Sequence, residues 1–184
     1  MHGIGIVLLG AVLFGIYTFY VHKTLTRLQQ ECKEAWRETE FYLKHRYDIV
    51  ALFISLLQNK MPQATNVIEK LTTIRHNAMT CLGEMKQMSR VEGDLATILI
   101  QTLSFTNNNP LFQQDAAFIK LQQNLKAVND KIEAAGRFYN GNVWAYNAKV
   151  GQFPSNIVAA MFHFEPKALF EPKVDTEQID SASL

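Results

Sequence analysis

Seven polar residues fall close to positions where the sequence repeats an apolar helical face: Arg46, Asp48, Arg137, Tyr139, Asn140, Tyr146 and Asn147. Buried polar groups must find partners, so such a set offers two kinds of chemistry. One is a pocket between helices whose convergent groups hold a ligand or substrate. The other is a hydrogen-bonded network that fixes helix register, and the set contains no nucleophile beside a base to argue otherwise. His22, His45, His76 and His163 include no pair four residues apart with a Glu between them, which removes the zinc-protease helix. Glu-x-x-His, the carboxylate di-iron signature, does not occur, and no glycine-rich phosphate loop follows a strand. Cys32 and Cys81 are too few for a disulfide framework or a Cys-rich zinc site and read as small core residues. Met79, Met85 and Met88 read as core filler. No catalytic residue, cofactor or metal ligand is expected, and the chain is not expected to be an enzyme.

The elements that must position these residues are helices. Apolar positions recur in threes and fours along Leu25, Leu28, Cys32, Ala35, Thr39, Tyr42, Arg46, Ile49, Phe53 and Leu56, beside a second row of Trp36, Leu43, Val50 and Leu57. No Gly or Pro interrupts the chain between Gly15 and Pro62, so one rod is expected to run to Pro62. A second stripe runs through Ala64, Val67, Leu71, Ile74, Ala78, Cys81, Met85 and Met88. Ser89 and Glu92 stand in capping-box spacing and open a third helix through Leu95, Leu99, Thr102 and Phe105 or Thr106. Asn107, Asn108, Asn109 and Pro110 stop it. The last helix starts near Asp115 and reads Phe118, Leu121, Leu125, Val128, Ile132, Ala135, Tyr139, Asn142 or Val143, Tyr146 and Val150. Stripes averaging 3.5 residues on four segments predict an all-α fold, an N-terminal transmembrane helix continuing into a long antiparallel four-helix bundle. Summing about 1.5 Å per residue out and back returns the end of the fourth long helix to the level of the membrane.

The membrane reading rests on Ile4 to Val21, 18 residues without a charge. That run covers about 27 Å against a hydrocarbon core of about 30 Å. Ile4, Val7, Leu8, Leu9, Leu13, Phe14 and Ile16 would face lipid, with Tyr17 and Tyr20 at one interface. A cleaved signal peptide needs a basic start and small residues at its end, whereas Thr18, Phe19 and Tyr20 are bulky, so the anchor is read as uncleaved. Lys23, Arg27, Lys33 and Arg37 follow the span and no Lys or Arg precedes it, which places the N-terminus outside and the bundle in the cytoplasm. Gly3, Gly5, Gly10, Ala11 and Gly15 would permit close approach of a second span, making a homo-oligomer the expected state.

Length and charge bound the rest. A chain of 184 residues holds one domain and an appendage. Its net charge of +1 argues against nucleic acid as a partner. Residues 1–22 read as the anchor, 23–152 as the bundle and 153–170 as an apolar aromatic segment. Phe153, Ile157, Met161, Phe162, Phe164 and Phe170 lie in the last of these, which either closes the core or enters the headgroup region of the membrane. Residues 171–184 turn acidic and small and read as a disordered tail.

Several short motifs together resemble the LemA family. They are Lys33-Glu34-Ala35-Trp36, Leu43 to Asp48, Asn109-Pro110-Leu111, Phe118 to Gln122, Ile132 to Asn140, Tyr146-Asn147 and Phe153 to Asn156. The resemblance extends from the anchor to about Glu171. It departs at Asp48 to Phe53, where the family's Pro and Asn are missing, at Gly136 where Arg is usual, and at Asn129 where Glu is common. It implies a bacterial inner-membrane protein with a single span and a helical bundle, and some relatives are implicated in organising internal membranes such as those of magnetosomes. Two functions follow as expectations: a scaffold that self-associates or recruits another membrane protein, and a membrane-tethered sensor that binds a small ligand or partner protein.

Overall fold

The computed structural model describes residues 2–81 and 85–174, with side chains from Leu8 onward. Among the described residues the fold is all α: α1 (His2–Lys60), α2 (Thr65–Thr80), α3 (Met85–Asn107), α4 (Pro110–Gln113), α5 (Ala116–Gly151) and α6 (Ser155–Met161). Four of these are long enough to form the bundle, α1, α2, α3 and α5.

The uninterrupted helical sequence of α1 gives one rod of 59 residues, about 90 Å long. Its N-terminal part is long and apolar enough to cross a membrane. Leu8, Leu9, Val12, Leu13, Phe14 and Ile16 all stand exposed, and nothing approaches Gly10 or Gly15. Gly3, Ile4, Gly5 and Val7 lie outside the residues whose side chains are described. Burial begins at Tyr17, which packs against the core, and Val21 and Leu25 are fully buried. The folded unit therefore takes up the last turns of the apolar stretch, including Val21 within the 1–22 segment.

At the other end, Pro62 follows the close of α1 and the chain returns through α2. There α2 stops earlier than its stripe predicts: Cys81 has an extended backbone, ψ 96°, and Met85 and Met88 belong to α3. Helix α3 is already under way before Ser89, so Ser89 and Glu92 are interior positions, both buried, and form no capping box. The stop at Asn109 is resolved as a cap, its side chain accepting from Leu111 N at 3.0 Å with Pro110 beginning α4. Asp115 caps α5 through Phe118 N at 2.7 Å, while Lys60 bonds the same carboxylate at 2.6 Å and ties the end of α1 to the start of α5. These hydrogen bonds hold the Asp115 carboxyl below its ordinary value, Lys60 contributing most.

Helix α5 buries Phe118, Leu121, Leu125, Val128, Ile132, Ala135, Tyr139, Val143, Tyr146 and Val150, the face its spacing predicts, with Val143 rather than Asn142 inside. It packs chiefly on α1. Beyond α5 a cis Phe153–Pro154 bond leads into α6, which also packs on α1. Helix α6 ends in a Schellman turn: Phe164 N bonds Ala159 O at 2.9 Å and His163 N bonds Ala160 O at 3.4 Å, with His163 in the left-handed region at φ 57°. The chain then reverses and runs extended, back along α5 and over α3, to Val174. We call this stretch, residues 163–174, the strap.

Candidate functional site

The structure divides the seven polar residues into separate groups. Arg46 is buried near the middle of the bundle and pairs with Glu92 on α3, which is 1% exposed and also accepts from Tyr47 Oη. Arg46 reaches towards Asn129 on α5 at 3.4 Å, and Arg75 Nε on α2 bonds the Tyr47 carbonyl at 2.7 Å. Side chains from all four long helices thus converge on one charged centre. Burial, and then the Glu92 charge, push the Tyr47 hydroxyl far above its ordinary value, so it stays a neutral donor. Asp48 is exposed, and Arg137 pairs with Glu133 on the surface of α5, so neither joins this centre. In sequence Glu92 resembles a helix start because it stands three residues after Ser89, and that spacing hides its place inside α3.

Tyr139, Asn140, Tyr146 and Asn147 form the second group, and its partner is the strap. Asn147 donates to Lys167 O and accepts from Lys167 N, both at 2.8 Å. Asn140 does the same to Phe170, at 2.9 and 2.8 Å. Tyr146 donates to Glu165 O at 3.0 Å and Tyr139 to Ala168 O at 3.1 Å. The arrangement is a repeat. Two Tyr-Asn pairs seven residues apart on a helix are separated by about 10.5 Å. Three residues of extended chain span about 10 Å, so each pair meets an equivalent stretch of strap backbone.

Small residues make room for this ladder. Phe170 is buried against Trp36, ring centroids 5.4 Å apart, and a Cβ on Gly136 would lie 3.2 Å from its ring. A Cβ on Gly93 would overlap the Lys173 carbonyl. Ser89 Oγ accepts from Glu171 N at 3.1 Å. Part of the stretch expected to be a disordered tail is therefore placed, since residues 171–174 continue the strap; residues 175–184 lie outside the described residues. Burial raises the Tyr139 hydroxyl to about 12 and the Tyr146 hydroxyl above its usual value, keeping both as donors. Burial likewise raises the Cys32 thiol, and Cys81 is also buried, which suits neither to a reactive role.

Between α3 and α5 lies an open groove of about 440 Å³, mostly apolar, lined by Leu99, Leu103 and Ile132 and reached by Arg46 and Asn129. Phe170 and Pro172 of the strap line it too. Arg46 Nε is buried without a partner. Among the described residues no three His, Cys, Asp or Glu side chains gather closely enough to hold a metal.

Together these features define a class: a helical bundle on a long apolar-tipped helix, closed by its own C-terminal strap through paired Tyr-Asn positions. The chain belongs to the LemA family, whose sequence model matches residues 35–181. The match takes in the charged centre, the ladder, α6 and the strap, and begins after the apolar tip of α1. No curated protein matches the sequence.

Proposed function

We propose that this protein is a non-enzymatic scaffold anchored in the bacterial inner membrane by the N-terminal part of α1, with its bundle in the cytoplasm. There it self-associates or recruits another membrane protein. The observation that carries the reading is the continuity of α1, in which one unbroken helix serves both as candidate span and as central member of the bundle. Such a rod holds the bundle at a fixed angle and distance from lipid, as an organising element requires. Exposed Phe41, Leu52, Phe138 and Trp144 on its flanks supply apolar surface for lateral contacts, and Gly10, Ala11 and Gly15 permit close approach of spans. The net charge of +1 favours lipid and protein over nucleic acid as partners.

The direct experiment is the mass of the full-length protein extracted in native lipid particles. Several copies per particle are expected. Single copies, unaccompanied by another protein, would sink the scaffold.

A specific observation favours a second reading, a sensor. The groove between α3 and α5 is large enough for a small amphipathic ligand and is lined in part by Arg46, whose Nε is buried without a partner. A ligand there would bear on the charged centre and the strap together. Native mass spectrometry of the same particles would show a small bound molecule if this reading holds.

A further inference from the structure

After Ser155 and Asn156 in its first turn, helix α6 is wholly apolar from Ile157 to Met161, and only one side of that stretch is covered. Val158 and Ala159 are buried, while Ile157 and Met161 on the opposite side are 46% and 52% exposed, preceded by Phe153 at 75% and followed by Phe162 at 44%. An apolar helical face is stable where something covers it. Here Phe153, Ile157 and Met161 stand largely uncovered and Phe162 partly so, an arrangement that monomeric soluble surfaces rarely show.

The position of the patch indicates what covers it. Phe162 and Phe164 meet the ring of His22 edge-on, centroids 4.7 and 5.5 Å away, which sets α6 beside the last turn of the apolar stretch of α1. Phe19 and Tyr20, within one turn of His22, are themselves exposed. The exposed apolar residues of α1 therefore end beside α6, with His22 between the two. Cations stand on the bundle side: Lys23 on α1, Lys149 in the last turn of α5, and Lys167 over the Tyr146 ring at 5.7 Å. Arg27 is paired with Glu31, and Glu165 is the one acidic residue in 153–170. An apolar face bordered by lysines suits a bilayer surface, where rings and aliphatic chains enter below the phosphates and ammonium groups meet them.

We infer that α6, with Phe153 and Phe162 at its ends, is an interfacial collar that lies in the headgroup region against the base of the span. This rests on reading α1 as the anchor and extends it. The run Ile4–Val21 falls about 3 Å short of a typical hydrocarbon core, and the collar widens the apolar surface at the end where α1 enters the bundle.

The test uses the full-length protein in lipid nanodiscs, with methyl and aromatic-ring spectra recorded beside lipids spin-labelled either near the headgroup or at the chain end. Leu13 reports the span, Ile157 and Met161 the collar, and Leu52, exposed far along α1, the bulk solvent. Broadening of Ile157 and Met161 by the headgroup-proximal label and of Leu13 by the chain-end label, with Leu52 broadened by neither, would support the collar. Leu13 broadened with Ile157 and Met161 as sharp as Leu52 would overturn the collar and leave the anchor standing. An unaffected Leu13 would overturn both. In Ile157→Glu/Met161→Glu, changes at exposed positions that keep the fold, loss of the Phe153 and Phe162 ring broadening with Leu13 unchanged is expected. If instead α6 is sharp and the double variant only lowers the particle mass, a second copy covers the face and the inference fails.

Discussion

At the scale of single residues, the charged centre and the ladder answer to different physics. Arg46 and Glu92 are both buried, and each compensates the other's loss of hydration. Removing one partner strands a charge, so Glu92→Leu is expected to cost about 3–5 kcal/mol in urea unfolding, whereas Arg46→Met/Glu92→Leu should cost clearly less. Equal costs would mean that the pair acts only through its packing. The ladder is neutral and answers to pH differently. The Tyr139 hydroxyl lies at about 12 in the fold against about 10 in an unfolded chain. A raised value of this kind favours the neutral form, so the stabilisation is complete below about pH 10 and is lost as pH climbs towards 12. Tyr47 is raised as well, through burial and Glu92. Tyr139→Phe should therefore flatten part of the stability loss between pH 10 and 12, not all of it, in denaturation midpoints taken across that range. An unchanged slope would show that Tyr139 ionises freely.

At the scale of elements, periodicity made α5 and most of α1 legible, because a helix that buries one face must repeat it. Of the eleven buried positions from Phe118 to Val150, all but Gly136 follow directly from that constraint. The apolar content of 153–170 marked a segment able to close the core, but the path of the strap was illegible for the converse reason: it is extended, buries chiefly Phe170, and is recognised through its backbone, so its side chains carry no period. Tyr139-Asn140 and Tyr146-Asn147 were visible as polar residues near a buried face, but their partner lay some 20 to 30 residues away along the chain. Gly93 is the element-scale signature of the strap, a small residue at the crossing of α3. Gly93→Ala places a methyl group where the Lys173 carbonyl passes and should lift the end of the strap. Alanine is otherwise the better helix former by about 1 kcal/mol, so the two effects oppose each other. Trypsin cleavage after Lys173 and Lys167 distinguishes them: faster cutting than in the wild type is expected, and unchanged cutting would mean that the strap yields without leaving.

For the molecule as a whole, the way the parts are joined sets the order in which they open. Helices α1 and α5 share the core from Leu25 to Val150 and are tied at the far end by Lys60 and Asp115, so they can separate only with the loss of most buried surface. The strap is attached differently. Six hydrogen bonds from Tyr139, Asn140, Tyr146 and Asn147 hold it, together with Phe170 and the bond to Ser89. At about 0.5–1.5 kcal/mol net for each bond, these contacts sum to an opening energy of several kcal/mol, below what a core of two long helices resists. The strap should then behave as a separate opening unit. In native-state hydrogen exchange, the Lys167, Phe170 and Glu171 amides are expected to exchange together through an opening that depends only weakly on urea, while Val50 and Val143 exchange by global unfolding. Asn140→Ala should speed the strap amides by one to two orders of magnitude, about 1–3 kcal/mol, and leave Val50 nearly unchanged. If the strap amides instead follow the Val50 rate at every urea concentration, the strap is part of the core and opens only with it. The distinction matters for the groove between α3 and α5, because Phe170 and Pro172 form part of its wall. A strap that opens on its own lets the groove change shape while the rod stays folded; one that does not makes the groove a fixed feature of the bundle.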